Sequence, residues 1–264
     1  MNVHACAAPH NAMTPQRTLR AYCIETKYEF LRLIRMPAYA GPTLVLPIFL
    51  YLLIGIMVVG PQAIEDPRLP MFMFAAFAVF AITSPGMYGF GQAFAIERQS
   101  GVLTLKRSQP MPAGAYIIAK ILSASACTAI VMSVLVALAT SFGHVALSST
   151  QILQILVASL LGMAAFCAIG LFIGSVVSGS AALGVVNLIY FPMIYLSGTF
   201  FPLPETLAPW ALIWPTFYLN QIFYAITLGE SAVSVEMCVA VLIALTLLFA
   251  GLAAHRLARA NGLS

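Results

Sequence analysis

Long apolar segments constrain the fold of this chain more than any other feature of its sequence. Six of them hold about 20 or more mostly apolar residues: 39–60, 71–94, 116–142, 152–177, 181–201 and 233–252. One helical crossing of the hydrocarbon core of a bilayer requires about 20 such residues. Strands of a membrane barrel are shorter and alternate in polarity, unlike these segments. The sequence therefore predicts an all-α integral membrane protein with six transmembrane helices.

Charged residues are scarce, and the basic ones are unevenly distributed. Only 8% of the residues are charged, whereas soluble globular domains carry about 25%. Eleven of the twelve lysines and arginines lie before the first segment, between the second and third, or after the sixth: Arg17, Arg20, Lys27, Arg32, Arg35, Arg98, Lys106, Arg107, Lys120, Arg256 and Arg259. By the positive-inside rule, six crossings put all eleven in the cytoplasm. We therefore predict a multi-pass protein of the plasma membrane (a bacterial inner membrane) with both termini cytoplasmic, and no nucleic-acid partner.

Three regions are predicted along the chain. Residues 1–16 are expected to form a disordered cytoplasmic tail. Residues 17–36 predict an amphipathic interfacial helix, because apolar side chains recur at helical spacing among basic ones that include Arg32 and Arg35. Pro37 ends this helix, since proline disfavours a helical residue before it. A solvated charged leader is the alternative for residues 17–36, and residues 37–264 are predicted to form the six-span domain.

The loop between the second and third segments is the only charged island in the middle of the chain. Its distinctive residues are Glu97, Arg98, Gly101, Lys106, Arg107, Pro110 and Lys120. One interpretation is a contact with something outside the membrane, and the other is a solvated loop that obeys the positive-inside rule. That rule accounts for the basic residues but not for Glu97, so the acid favours a contact function.

The region between the fifth and sixth segments is apolar yet rich in proline and aromatic residues. Its main features are Gly198, Phe201, Pro202, Pro209, Trp210 and Pro215. Prolines exclude one straight helix here, so we predict short re-entrant helices at the outer side of the membrane. Trp210 also fits the aromatic belt of a membrane protein, and a simple interface anchor is the alternative for this residue.

Glycine and proline mark expected packing positions inside two segments. Pro85 and the glycines that follow it predict a kink or a close helix contact in the second segment. Gly170 and Gly174 in the fourth segment have the spacing that lets two helices approach closely. The five cysteines show no disulfide framework and no metal-ligand spacing, so no metal site is predicted.

These features occur together in a known family. In chain order they are Arg35-Met36-Pro37, then Glu97-Arg98 with Gly101, Leu105, Pro110, Tyr116 and Lys120, then Ser197-Gly198 with Phe201-Pro202, Leu207, Pro209-Trp210, Pro215 and Tyr218. In their order and placement on a six-span frame they resemble the permease (transmembrane) subunits of the type-two ABC exporter family. The resemblance covers nearly the whole chain.

The resemblance implies a function and partners. The charged loop would form a coupling helix on a separate nucleotide-binding ATPase, with charge-assisted contacts from Glu97, Arg98, Lys106 and Arg107 and bends at Gly101 and Pro110. A second permease subunit, identical or paralogous, would complete the path, and an amphipathic drug, lipid or lipid-linked substrate would move outward. Thr83, Ser84, Asn187 and Tyr195 are predicted to face that path, with simple packing as the alternative.

This chain is not expected to be an enzyme by itself. It has no Gly-x-x-x-x-Gly-Lys-Ser/Thr phosphate loop, so ATP and magnesium are expected on the partner ATPase rather than here. No hydrolase or metalloprotease motif is present. A secondary transporter would keep ionisable residues within its spans, and these spans hold essentially none. A passive channel or pore-forming homo-oligomer without ATP coupling is the remaining alternative.

Overall fold

A computed structural model describes residues 15–102, 105, 115–201, 203–204 and 206–260. Over these residues the chain consists of helices and their connections, with no strand, which confirms the all-α prediction. Residues 1–14 of the predicted tail lie outside the described part. So do Lys106, Arg107, Pro110 and Pro202.

The first helix, α1 (Pro15–Arg35), begins two residues before its predicted start. It ends where expected, because Met36 takes an extended conformation ahead of Pro37. The helix is amphipathic, but only part of its apolar stripe packs against the protein. Leu33 is buried, whereas Leu19 and Ile34 are exposed. The exposed part is available for lipid contact, as a helix at the membrane interface requires.

Two long helices follow. The span α2 (Thr43–Gln62) has an α-helical stretch, Leu46–Leu50. Wider π-helical turns lie on both sides of this stretch, Gly41–Val45, which begins two residues before the span, and Tyr51–Val58. The span α3 (Arg68–Gln99) is α-helical over Arg68–Pro85, π-helical over Gly86–Ala93 and α-helical again over Phe94–Gln99. Its wide turns begin directly after Pro85, which lacks a backbone N–H and so interrupts the regular hydrogen-bond ladder.

The helices α4 (Ala115–Phe142) and α5 (Ser149–Val176) complete the centre of the bundle. A capping box between Ser148 and Gln151 starts α5. The π-helical stretch of α3 packs directly on α5, where a Cβ on Gly86 would lie 2.6 Å from the Phe166 carbonyl carbon. A Cβ on Gly174 would lie 2.5 Å from the Phe90 oxygen. The close helix contact expected from these glycines is therefore present.

Four further helices follow α5 in the described part of the chain. They are α6 (Ala182–Leu196), α7 (Ala208–Ala211), α8 (Pro215–Thr227) and α9 (Val235–Ala260). Two short helices thus occupy the proline-rich region, and α8 is largely buried within the bundle. Among the described residues, five helices are long and apolar enough to cross a membrane: α2, α3, α4, α5 and α9. The helix α6 has 15 residues, fewer than the 18 taken here as the minimum for a crossing, so six crossings stay a prediction.

The core lies around α3. Of the apolar 18-residue stretch of α3, 78% is buried inside the protein, whereas only 17% of the corresponding stretch of α9 is buried. Buried side chains of α4, α5 and α8 pack on it together with Tyr190 of α6. A movement of α3 would therefore disturb most of the core.

Candidate functional site

Four charged side chains from three helices form a compact cluster at one end of the bundle. Glu29 and Arg32 come from α1, Glu97 from the end of α3 and Lys120 from the start of α4. Lys120 Nζ lies 2.9 Å from Glu29 Oε1 and 3.0 Å from Glu97 Oε2. Arg32 lies 3.3 Å from Glu29 Oε2 and also bonds Glu97. Each base thus contacts both acids, and we call these four residues the ion-pair ring.

The ring is almost completely removed from solvent. Glu29 and Glu97 are 3% exposed and Lys120 is 1% exposed, whereas the Arg32 side chain is 37% exposed. Burying an ion is unfavourable unless it is paired and hydrogen-bonded, and the ring carries two negative and two positive charges. Burial lowers the pKa of Arg32, but the carboxylates of Glu97 and Glu29 raise it more, so the net shift of this pKa is upward.

Two further hydrogen bonds fix the three helices around the ring. Tyr116 of α4 donates its hydroxyl to Glu97. Ser123 Oγ, one turn beyond Lys120, donates to the Thr26 carbonyl of α1 at 3.0 Å. Glu97 and Tyr116 flank residues 100–114, the loop that joins α3 to α4, which we call the connecting loop. The end of α3 and the start of α4, which we call the roots of the connecting loop, are therefore joined to each other and to α1.

Two of the cavities among the described residues are lined by α3, one together with α2 and α6 and the other together with α1. One is an apolar groove of about 400 Å³ whose aromatic lining is Phe77, Phe80, Phe191, Tyr195, Phe200 and Phe201. The other is a smaller pocket of about 180 Å³ beside the ion-pair ring. Its lining includes Arg32, Tyr88, Gln92 and Glu97. We call them the aromatic groove and the ring pocket.

A family model described as ABC-2 type transporter matches residues 20–237. The chain belongs to the ABC-2 type transporter family. The match begins within α1 and ends in the first turn of α9, so it includes the ion-pair ring and both cavities. No curated protein matches the chain.

Membership confirms the resemblance drawn from the three sequence motifs. An ABC-2 family protein is the membrane permease component of a transporter, a multi-pass membrane protein that implies an ATPase partner.

The residues that the sequence predicts to contact an ATPase lie in different surroundings, some buried and some exposed or outside the described part of the chain. Glu97 and Lys120 are buried in the ion-pair ring, so direct contact with another protein would require them to leave it. Arg98 lies outside the ring and donates to the Val177 carbonyl at 2.8 Å, which ties the end of α3 to the turn after α5. Gly101 has φ +76°, a left-handed conformation that ends α3 and starts the loop. Lys106, Arg107 and Pro110 lie outside the described residues.

The sequence analysis and the structure differ at two residues of α1. Arg35, predicted with Arg32 on the interfacial helix, is exposed and has no part in the ring. Glu29 was not singled out by sequence reasoning. The available signal was its position three residues before Arg32 and four before Leu33, which puts an acid on the packed face of an amphipathic helix.

The four predicted path residues divide into two pairs. Thr83 and Ser84 are fully buried in the core, where Thr83 Oγ1 lies 2.8 Å from the Tyr190 hydroxyl. Asn187 is partly buried and accepts a 2.8 Å hydrogen bond from Tyr88, a residue of the ring pocket. Tyr195 is 52% exposed and lines the aromatic groove. Only the second pair therefore lies beside the cavities.

The proline-rich residues that the sequence predicts for the outer side lie in the segments around α7 and α8. Gly198 turns the chain after α6 with φ +72°. Phe201 and Trp210 are exposed, and Phe201 lines the aromatic groove. Pro209 and Pro215 occupy the first turns of α7 and α8, where proline's missing N–H has no helical partner to lose. Pro202 lies outside the described residues.

Proposed function

We propose that this chain is the permease subunit of an ATP-driven exporter and works with a separate ATPase. The observation that carries the proposal is the attachment of the connecting loop, whose two roots are joined by the buried contacts of Glu97 with Lys120 and Tyr116. A partner that moves this loop would move α3 and α4 together. Because α3 is the most buried of the long helices, its displacement would reach the core and the cavities.

ATP and magnesium are assigned to the partner. The sequence contains no phosphate loop, which a chain that hydrolysed ATP through such a motif would need. ATP binding would change the equilibrium between two permease conformations to the extent that the ATPase contacts them differently. Arg98, Lys106 and Arg107 remain our candidates for contacts with it, together with Leu105, whose side chain is 64% exposed.

The substrate path is proposed along α3, from the ring pocket beside α1 to the aromatic groove formed with α2 and α6. Its support is the change in lining, from a ring pocket with polar side chains, past the Tyr88–Asn187 hydrogen bond, to the aromatic groove. This order suits an amphipathic drug, lipid or lipid-linked substrate rather than a polyanion. A second permease subunit, identical or paralogous, would close the same side. Outward transport across a bacterial inner membrane, with both termini cytoplasmic, completes the proposal.

Co-purification tests the ATPase assignment. We would isolate the tagged chain in mild detergent, identify accompanying proteins and measure ATP hydrolysis. Leu105→Glu puts a charge on the connecting loop, and we expect it to reduce the bound ATPase about tenfold or more, the effect of losing one good interface anchor. Leu207→Glu is the matched control, since Leu207 is also an exposed leucine but lies beside α7, away from the connecting loop.

The outcomes separate the two candidate functions. A phosphate-loop ATPase that accompanies the wild-type chain and the Leu207 variant, but not the Leu105 variant, supports the exporter. A folded homo-oligomer that never carries an ATPase would contradict it and favour the passive channel.

A further inference from the structure

We propose that Glu29 is a positioning residue: it holds Lys120 and Arg32 against Glu97, so that α1 moves with the roots of the connecting loop as one unit. The transport consequence rests on the proposed function, whereas the positioning itself rests only on the geometry of the ion-pair ring.

The position of Glu29 within the ring supports this role. Its Oε1 accepts from Lys120 of α4 at 2.9 Å, and Arg32 of its own helix donates to Oε2 at 3.3 Å and to Oε1 at 3.5 Å. Glu97 contacts the same two bases from α3. Glu29 is therefore the side chain that closes the ring between α1 and α4.

Charge balance makes Glu29 necessary to the arrangement. Without its carboxylate, Lys120 and Arg32 would share Glu97 alone, and the ring would hold one net positive charge. Lys120 is 1% exposed, so water could not replace the lost partner without a local rearrangement. Because Glu97 keeps Tyr116 and both bases, the junction of α3 with α4 would remain. The expected defect is therefore specific to the placement of α1.

A buried ion pair is suited to positioning for two reasons. Compared with apolar residues of similar volume it adds little to stability, but its charged groups must be held at hydrogen-bond distance from each other. Exchange of buried ion pairs for apolar residues is often neutral in stability. Apolar contacts between α1 and α4 would tolerate rotation of one helix on the other, whereas the ring requires three helices in one arrangement. The ring therefore makes α1 part of the moving unit rather than an independent surface helix.

Distance measurement between spin labels tests this directly. Labels would be placed at Lys27→Cys on α1 and Ile121→Cys on α4, both exposed, in full-length protein with Cys6 and Cys23 changed to serine. We expect a single narrow distance distribution with Glu29 present. Glu29→Gln, which removes the charge but keeps the shape, should broaden this distribution about twofold or shift it to a second distance, as expected when a second conformation becomes populated.

Three further variants distinguish positioning from general damage. Glu29→Asp keeps the charge and should restore the narrow distribution. Arg35→Gln, at an exposed residue of α1 outside the ring, should leave it unchanged. Arg32→Gln opens the ring at a partly exposed residue and should broaden it like Glu29→Gln, which keeps the test valid if the latter variant does not fold.

The same variants give a second readout with the proposed partner. Because Glu29 is buried, Glu29→Gln should keep the co-purifying ATPase bound while the amount of substrate exported per ATP falls about tenfold. An unchanged distance distribution in both Glu29→Gln and Arg32→Gln overturns the inference, as does equal broadening in Arg35→Gln. Absence of any ATPase would overturn the proposed function alone, since the distances do not depend on it.

Discussion

Lys120 combines a full charge with almost no contact with solvent. It lies five residues into α4 with 1% of its surface exposed and has both carboxylates of the ring within 3.1 Å. Burial of a charge is unfavourable unless the charge is paired and hydrogen-bonded. The burial of Lys120 therefore depends on Glu29 and Glu97, and their burial depends on Lys120 in turn.

Removal of the Lys120 charge is expected to destabilise the protein. Lys120→Met keeps most of the side-chain volume but leaves two buried carboxylates with Arg32 as their one remaining basic partner in the ring. The free energy of unfolding should fall by about 3–5 kcal/mol, the usual effect of breaking a buried pair on one side. Thermal melting of the purified protein in detergent measures this. Lys27→Met, at an exposed position of α1, is the control, and equal melting of both variants would refute the prediction.

The hydroxyl of Tyr190 is a second residue-scale test. It lies 2.8 Å from Thr83 Oγ1 and 3.3 Å from the Phe80 carbonyl, and it is fully buried between α3 and α6. Tyr190→Phe should lower the free energy of unfolding by about 1–2 kcal/mol, because the buried Thr83 hydroxyl loses one of its two partners at 2.8 Å and keeps only the Val79 carbonyl at that distance. In Tyr218→Phe the lost hydrogen bond is exposed, so that variant should melt like the wild type.

At the scale of elements, the contact of α3 with α5 determines how closely the central helices pack. Gly170 and Gly174 face the π-helical stretch of α3, and Gly86 faces Phe166 in return. Any Cβ on Gly170 would collide with the Gly86 carbonyl oxygen. Since that oxygen belongs to the backbone, the two helices would have to separate.

Gly170→Ala is therefore expected to be costly despite its small size. Separation of packed helices should reduce the free energy of unfolding by about 1–3 kcal/mol or more, as overpacking does elsewhere. The matched control is Gly184→Ala on α6, where an added Cβ meets no atom within 4 Å. Alanine is the better helix former by up to about 1 kcal/mol, so this control should melt at or above the wild-type temperature. Equal melting temperatures for the two variants would argue against the close contact.

At the scale of the molecule, contacts between side chains and neighbouring helices indicate which helix ends lie together. The ion-pair ring and the Arg98–Val177 bond gather the ends of α3 and α5 with the start of α4. At the other end, Arg68 and Glu230 form a 3.1 Å ion pair beside the starts of α3 and α9. The helix α6 begins after Val177, and the Gly198 carbonyl that follows α6 accepts from Tyr224, near the end of α8 and the start of α5. It therefore runs from the ring end of the bundle towards the opposite end.

This arrangement predicts six crossings, with α6 as the fifth. Single cysteines at Ser180, Glu230 and Arg259, all exposed, would be treated with a membrane-impermeant maleimide before and after the membrane is opened. We expect only Glu230→Cys to react in intact cells, because it alone lies on the outer side. Cys6 and Cys23 would be serine in all variants. If α6 did not cross, Glu230→Cys would be protected and Arg259→Cys would react instead.

The sequence alone determined the class of the molecule. Hydropathy and helix-breaking residues are local properties, so they predicted an all-α membrane protein, the end of α1 before Pro37 and the contact around Pro85 and the glycines. The family was also accessible, because its motifs depend on residue order. The prediction that Glu97 is unusual depended on one local observation, an acid among basic residues at the membrane edge.

Only the tertiary structure decided which side chains meet. Glu29 and Lys120 are 91 positions apart, and their pairing depends on how α1 crosses α4. Likewise Thr83 and Ser84 face the core rather than a cavity, because the rotation of α3 is determined by its packing on α5 and α6. Periodicity assigns faces to one helix, but which face meets which neighbour depends on the packing free energy of the whole bundle.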